Sequence, residues 1–415
     1  NYHLGVDGIS IVLLPITALI GVIVSLYSWN STTRSSGLYY FLLLAMTSMT
    51  MGILLSLDLI LFFLFWELIL VPIYLMIQIW GIGPQREFTA VKYVIYMLSG
   101  SVPLLVGFIL LAVHHDSSVD GGHSFDLIKL LNLPLSHTLQ TEIFILLFVG
   151  FAVKAPLFPF HTWLPIVLEQ GPLAVSMVMV GLKLGLYGFA RFLIPMLPQA
   201  TREWQTEVSV LAVFTILYGA LVALKQTNLR RMLAYASISH VGMIVLGLFS
   251  LNFDGMQGAI VQMINLGFIS TGLFFLAGSL QSRTGSVDLY SMGGIASRTP
   301  LLACAFLFFG LASIGLPGTN GFIGEHLILL GIFQTHWVFA MLALLGIGLG
   351  AAYFVRFYEK AFYGPVIHGP VDRMKDLLPR ELVVVTCLAV FVLWVGLYPQ
   401  PFLHLTQKSF LESKK

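Results

Sequence analysis

The chain is a succession of apolar stretches, each about as long as a helix that crosses a membrane. They lie near 8–29, 38–56, 57–80, 91–113, 142–163, 172–195, 206–225, 231–250, 256–280, 300–318, 322–355 and 381–399. About 20 residues of helix span the roughly 30 Å of hydrocarbon. Hydrocarbon offers no partners for backbone N–H and C=O groups, so each crossing must satisfy its own hydrogen bonds as a helix. The sequence therefore predicts an all-α, polytopic transmembrane helical bundle.

The composition supports this class and excludes others. Hydrophobic residues make up 58% of the chain and charged residues 10%, against about 25% charged in soluble domains. A net charge of +2 provides no basic surface for nucleic acid. Cys304 and Cys387 have no CxxC or Cys/His spacing, and no glycine-rich phosphate loop is present. We expect a lipid bilayer around the chain, and no nucleic acid, metal or redox cofactor bound by it.

Two crossings contain strong helix breakers. Pro156 and Pro159 follow Lys154, and Leu316-Pro-Gly-Thr-Asn-Gly321 interrupts a crossing that we place over 301–334, ahead of a whole helix over 336–358. Proline removes a backbone donor, and hydrocarbon tolerates this only where protein or a water-filled cavity satisfies the freed groups. We predict two broken helices among about twelve crossings.

The two breaks occupy equivalent places in two stretches of five crossings, 38–195 and 206–358. Tandem units with an odd number of crossings must have opposite orientations in the membrane, as in many transporters with inverted repeats. The predicted divisions are an N-terminal crossing (1–37), two inverted five-helix units (38–205 and 206–360) and a connection, last crossing and tail (361–415). Because the chain begins at Asn1 rather than methionine, we also expect sequence that precedes it.

Positive charges are distributed unevenly between the two sides of this plan. Of the 21 Lys and Arg residues, thirteen lie on connections that follow odd-numbered crossings, six lie on the other side, and two, Lys154 and Lys183, lie within crossings. The positive-inside rule places the richer side toward the cytoplasm or its organellar equivalent. Both termini are then predicted on the opposite side.

Ionisable side chains within crossings are the candidate functional residues. A charged side chain at bilayer depth costs at least about 2.5–3.5 kcal/mol, so such residues usually have a function. Glu67 would remain ionised only with a cation within about 4–6 Å, and Lys154 is its natural partner, with a structural role for the pair as the alternative. Each broken helix also carries one charge, Lys154 or Glu325.

Other polar residues allow two interpretations. Lys183, predicted in the middle of a helix, is a relay or a lysine that reaches an interface. His240 is a proton relay or a neutral core histidine bonded to a hydroxyl, and His161 beside the first break could have either role. Asp58 is predicted as a helix cap or interface residue. Three cations fit interface anchors better than relays: Lys225, Arg230 and Arg231.

Four segments carry a family resemblance that runs over essentially the whole chain. They are Phe65-Trp-Glu-Leu68, Val153-Lys-Ala-Pro-Leu-Phe-Pro-Phe-His-Thr-Trp-Leu-Pro165, Asn228-Leu-Arg-Arg-Met-Leu-Ala-Tyr-Ala-Ser-Ile-Ser-His-Val-Gly242 and Leu316-Pro-Gly-Thr-Asn-Gly-Phe-Ile-Gly-Glu325. The sequence resembles the antiporter-like M-type chains (subunit 4) of proton-pumping NADH:quinone oxidoreductase, respiratory complex I. Glu325, where sister pumps have lysine, favours the M type. Family members have fourteen helices, which implies that the first two lie outside this sequence.

The resemblance implies a role for each buried charge. Glu67 and Lys154 would be a switching ion pair, Lys183 and His240 the central relay, and Glu325 the terminal proton site, with His161, Lys225 and Asn265 secondary. NAD(P)H or ferredoxin, iron–sulfur clusters and quinone are expected elsewhere in the complex. The expected partners are neighbouring antiporter-like subunits. The expected location is an energy-transducing membrane: a bacterial plasma membrane, a thylakoid membrane or an organellar inner membrane.

Three departures from the family pattern bear on this expectation. Leu168 and Gln170 stand where relatives have histidine and glutamate, and Asn265 replaces a histidine. Between Gly181 and Lys183 the chain is two residues shorter, a change of about 200° in helical phase unless a bulge absorbs it. The alternatives to a proton pump are a subunit of a multi-subunit sodium/proton antiporter and a specialised variant with altered pumping, such as one for carbon dioxide uptake.

Overall fold

The computed structural model describes residues 3–29, 35–118, 123–131, 133–366 and 369–412. Eleven helical stretches within these ranges are long and apolar enough to cross a membrane. The N-terminal helices are α1 (Ser10–Ser28), α2 (Ser36–Leu55), α3 (Leu59–Leu68), α4 (Leu70–Trp80), α5 (Arg86–Ser118), α6 (Leu127–Leu130), α7 (His137–Lys154) and α8 (Trp163–Gln170). The central helices are α9 (Leu173–Gly181), α10 (Leu184–Gly188), a π-helix (Phe189–Leu193), α11 (Ile194–Met196), α12 (Pro198–Glu203), α13 (Gln205–Lys225), α14 (Leu229–Leu248) and α15 (Phe253–Thr284).

The C-terminal part begins with a short 3₁₀ turn and continues with seven α-helices. These are the turn Leu289–Ser291 and α16 (Ile295–Arg298), α17 (Pro300–Ser313), α18 (Asn320–Thr335), α19 (Trp337–Phe362), α20 (Gly369–Asp372), α21 (Pro379–Leu397) and α22 (Gln400–Glu412). Helices α17 and α18, of 14 and 16 residues, together form the broken crossing predicted over 301–334. With the eleven longer stretches this makes the predicted twelve crossings, and the all-α class is confirmed. Three of the counted charges, Arg34, Lys414 and Lys415, lie outside the described residues.

Two predicted crossings are interrupted, the first as expected and the second not. The crossing predicted over 142–163 is helical only to Lys154, because the prolines that follow cannot donate to the helix ladder. The crossing predicted over 172–195 is interrupted between Gly181 and Leu184, so the placement of Lys183 in the middle of a helix is wrong. The interruption at Lys183 is therefore additional to the two broken helices predicted from sequence.

Helix α15 forms the centre of the bundle. Every residue in its apolar, membrane-length stretch of 18 residues is buried, whereas only 33% of the residues in the corresponding stretches of α19 and α21 are buried. The outer helices carry exposed apolar side chains, such as Val22 on α1, Leu345 on α19 and Leu397 on α21. Hydrocarbon is as apolar as these side chains, so helices in a bilayer keep such residues outside and pack through their interior faces. The polar residues of the site face the interior around α14 and α15.

The two predicted five-helix stretches share one unusual connection. Asp58 caps the N-terminus of α3 and forms an isolated antiparallel bridge with Asp126, which caps α6. Asn228 caps α14 and forms the same kind of bridge with Asp288, which caps the 3₁₀ turn. Backbone hydrogen bonds of 2.8–2.9 Å flank both bridges. The capping role of Asp58 is confirmed, and the matched connections support the two-unit division, which stays a prediction.

Candidate functional site

At the first break, a side chain of the protein satisfies a backbone carbonyl group at the end of the helix. Helix α7 ends at Lys154, residues 155–162 are non-helical, and α8 begins at Trp163. The indole Nε1 of Trp163 donates a 2.9 Å hydrogen bond to the carbonyl oxygen of Val153, one of the carbonyls at the end of α7. The last carbonyls of a helix have no intrahelical donors, and this contact satisfies one of them inside the bundle.

Lys154 and Glu67 lie on neighbouring helices without direct contact. The Lys154 amine donates a 2.9 Å hydrogen bond to the carbonyl oxygen of Trp66 and lies 3.8 Å from the centroid of the Trp66 ring. Glu67 is the next residue, yet the structure contains no ion pair of 4.0 Å or less between the two side chains. Oε1 of Glu67 is buried without a hydrogen-bond partner. The switching pair predicted from sequence is therefore open in this structure.

Lys183 lies in the interruption between α9 and α10. Its backbone has φ −85° and ψ 71°, outside the helical region, and its amine donates a 2.6 Å hydrogen bond to Oγ of Ser237 on α14. The side chain is 7% exposed, so it does not extend to an interface. The interruption and the following π-helix (Phe189–Leu193) change the helical phase between α9 and α11. The non-helical backbone at Lys183 lets this amine reach Ser237 on α14.

Helix α14 connects Lys183 to the second break. Ser237 and His240 are three residues apart and therefore share a helix face. Nδ1 of His240 lies 3.8 Å from Oε1 of Glu325, which is buried on α18. At the break, Gly315 has φ +74°, and a Cβ atom there would collide with Oε2 of Glu325. Glycine therefore allows the chain both the turn and the close approach to the carboxyl group.

Asn265 reaches Glu325 through a second amide. Nδ2 of Asn265 donates to Oε1 of Gln262 at 3.0 Å and to the carbonyl oxygen of Asn320 at 2.6 Å. Nε2 of Gln262 in turn donates to Oε1 of Glu325 at 3.5 Å, a long hydrogen bond. Oδ1 of Asn265 is buried without a partner. Asn265 therefore orients the groups around the terminal carboxyl and does not contact that carboxyl directly.

Three small cavities border residues of this polar series or their chain neighbours. One of about 30 Å³ touches Lys154 and the residues on both sides of Lys183. A second, of about 20 Å³, touches Ser237 and His240, and a third of about 20 Å³ touches His240 and Glu325. A volume of about 10–15 Å³ is enough for one water molecule where polar partners are present. Together with the hydrogen bond from Lys183 to Ser237, these cavities and side chains define a series of polar groups inside the bundle, called the buried polar line below.

Two of the secondary residues, His161 and Lys225, do not line these cavities. His161 is 2% exposed, and neither ring nitrogen has a hydrogen-bond partner. Its ring packs against Phe158 and Tyr218, at centroid distances of 5.7 and 5.0 Å. Lys225 is in the last turn of α13 and is exposed, in keeping with an anchor.

The prediction that Arg230 is an interface anchor is wrong, because its side chain is completely buried. Its guanidinium donates to the carbonyl oxygen of Gly171 at 2.5 Å and to Oγ of Ser176 at 3.2 Å. These contacts tie α14 to the connection between α8 and α9 and to α9 itself. A cation in the first turn of a helix looks in sequence like an interface residue, and only packing reveals that it is enclosed.

Sequence reasoning also missed three polar or aromatic partners. Ser237 and Gln262 each lie three residues before a predicted site residue, so helical spacing was a usable signal for both. Trp66 had no such signal, because neighbouring residues on a helix point in different directions. Its role depends on α7 approaching α3.

Comparisons with known proteins agree on one family. The family model described as NADH:quinone oxidoreductase/Mrp antiporter, transmembrane, matches residues 56–350. NADH-quinone oxidoreductase subunit M of Rickettsia prowazekii is 38% identical over 420 residues, which cover 99% of this chain and 84% of the relative. A chain of respiratory complex I from Thermus thermophilus with bound NADH superposes with a TM-score of 0.91 at 32% identity, covering 99% of this chain and 86% of the other. A chain of the Mrp complex from Dietzia shares the fold, with a TM-score of 0.85, 21% identity and coverage of 97% and 82%.

Proposed function

The chain belongs to the NADH:quinone oxidoreductase/Mrp antiporter family of membrane proteins, in its subunit M group, and on this premise we propose that its buried polar line carries protons. It is a membrane subunit of a proton-translocating NADH:quinone oxidoreductase in an energy-transducing membrane, beside other membrane subunits. One observation supports the line above all others: small cavities touch Lys154 and the neighbours of Lys183, then Ser237 and His240, and then His240 and Glu325.

The proposed mechanism begins at the open pair of Glu67 and Lys154. A carboxylate in contact stabilises the charged form of an ammonium group, and separation removes that stabilisation. Opening and closing of the pair therefore controls when Lys154 holds its proton. Protons from the side rich in Lys and Arg would be held at Lys183 and His240 and pass to Glu325, 3.8 Å from His240. Lys225 and His161 lie beside this route, and Asn265 orients its end.

We infer that the redox chemistry occurs in other chains of the complex. NAD(P)H or ferredoxin, iron–sulfur clusters and quinone would be bound there, and quinone reduction would drive the opening of the pair. Within the described part of the chain, no group of three or more His, Cys, Asp and Glu side chains could hold a metal ion. In this proposal the chain contributes the proton path.

The decisive experiment compares wild type with Lys154→Ala in vesicles that contain the intact complex at matched assembly. We expect quinone-reductase-driven proton uptake to fall at least about tenfold in the variant, because removal of a proton-transfer group commonly costs 10²-fold or more. Lys129→Ala, an exposed lysine on a connection, is the matched control and should pump normally.

Other results would select another function. Normal proton uptake by Lys154→Ala would contradict the proposed path. Sodium-dependent proton exchange without any redox partner would favour an antiporter subunit. Retained activity after joint neutralisation of Glu67 and Glu325 would favour a specialised complex in which this chain acts as an assembly platform.

A further inference from the structure

Trp66 makes two different contacts with one ammonium group. Its carbonyl oxygen accepts a 2.9 Å hydrogen bond from the Lys154 amine, and the centroid of its indole ring lies 3.8 Å from the same nitrogen. A cation over the face of tryptophan is attracted by the ring quadrupole, most strongly where water is excluded. The contact is enclosed, because the Trp66 side chain is 3% exposed.

The local sequence makes both groups of Trp66 available. Trp66 is in the last turn of α3, where carbonyl groups lack full intrahelical partners. The helix is interrupted at Ile69, between α3 and α4, and Pro72 in the first turn of α4 has no N–H to continue the ladder. A carbonyl oxygen near such an interruption can accept a bond from a side chain of another helix.

Neighbouring aromatic rings hold the indole in position. Phe62, one turn earlier on α3, has its ring centroid 5.3 Å away, and Phe151, one turn before Lys154 on α7, has its ring centroid 5.7 Å away. The ring that faces the ammonium is thus packed from its own helix and from the helix that carries the lysine. This arrangement restricts the ring to the orientation that the cation requires.

Glu67 faces a different space from the one that Lys154 occupies. It lines an open groove of about 650 Å³ between α4 and α5, whereas Lys154 lines the enclosed cavity of about 30 Å³. The amine therefore contacts the neutral Trp66, while the acidic Glu67 is the next residue along the helix. We propose that Trp66 provides a second binding site, called the second station below, for the Lys154 ammonium group. Its ring and its carbonyl oxygen hold the ammonium whenever Lys154 and Glu67 are apart.

This inference rests on the proposed function and adds a step to it. An ammonium ion without a partner would be strongly disfavoured in a low-dielectric interior, so the pair would open rarely if nothing replaced Glu67. The Trp66 station replaces one charged contact by two neutral ones. Trp66 is thus a positioning residue that sets how often the pair opens.

The test replaces Trp66 by tryptophan carrying one, two or three ring fluorine atoms, introduced at this position alone. Fluorine withdraws electron density from the indole ring and weakens the attraction of the ring for a cation, with little change in the size of the side chain. We expect the rate of proton uptake driven by quinone reduction to fall with each fluorine. The uptake rate should fall about tenfold in Trp66→Leu, which lacks the ring, and Trp66→Phe should have a rate between those of wild type and Trp66→Leu. Trp337→Leu, at a 63% exposed tryptophan, is the control and should pump as wild type does.

The nearly isosteric fluorinated series keeps the test valid if Trp66→Leu fails to assemble. Equal uptake rates across the series would overturn the second station. If Lys154→Ala still abolishes uptake in that case, the proton path stands and only the role of Trp66 is wrong. If Lys154→Ala pumps normally, the proposed function itself fails.

Discussion

The two broken helices accommodate their charges in opposite ways. Lys154 is the last residue of α7, where the partial negative charge of a helix C-terminus favours a cation, and its partners are a neutral carbonyl and an aromatic ring. Glu325 lies more than one turn inside α18, where the effect of the helix N-terminus has faded, and its neighbours are His240 and Gln262.

The difference shows what a helix break does and does not decide. A break supplies unpaired backbone groups and room for a charge at bilayer depth. The helices packed against it determine whether that charge meets a fixed partner. The first break therefore suits a group that moves between partners, and the second suits a group that remains among polar neighbours.

The largest expected effect is at the second break. Glu325→Gln keeps the size of the side chain and removes its charge and its exchangeable proton, so we expect proton uptake to fall about 10²-fold while quinone reduction is retained. Vesicle uptake and reductase activity should be measured on the same preparation. Glu207→Gln, at an exposed position on α13, serves as the matched control. Equal uptake in Glu325→Gln and wild type would mean that only the first break carries protons.

A smaller effect is expected where an amide orients the terminal carboxyl. Asn265→Leu removes the donor to Gln262 Oε1, leaves that oxygen buried and unpaired, and should lower uptake about three- to tenfold. Asn265→His, which provides a group able to exchange protons, should retain or raise the rate. If both variants pump like wild type, the amide chain has no part in orienting Glu325.

The smallest effect concerns the matched connections of the two stretches. Asp58→Ala and Asn228→Ala each remove an N-cap, which typically costs about 1 kcal/mol of stability. If Asp58 and Asn228 have equivalent roles in the two units, both variants should lower the midpoint of thermal unfolding of the detergent-solubilised complex by similar amounts. Ser136→Ala, at the cap of α7 outside this motif, provides a comparison. A large difference between Asp58→Ala and Asn228→Ala would argue against the two-unit division.

Sequence reasoning located the breaks more reliably than the contacts. Pro156 and Pro159 ended α7 where expected, since a missing N–H is a local property of the residue. The same reasoning placed Lys183 within a regular helix, because no proline or strong turn sequence marks the interruption between Gly181 and Leu184. It also assigned Arg230 to an interface, although three packed elements enclose that side chain.

The sequence by itself determined the class of the protein, its crossings and the residues that carry charge into the membrane. These properties follow from the length of apolar segments, from proline and glycine, and from the high cost of a charge in hydrocarbon. The tertiary structure decided which partner each charge has: Trp66 rather than Glu67 for Lys154, Ser237 for Lys183, and His240 for Glu325. The physical reason is that these contacts join residues distant in sequence, and their geometry depends on how helices pack and where their ladders are interrupted.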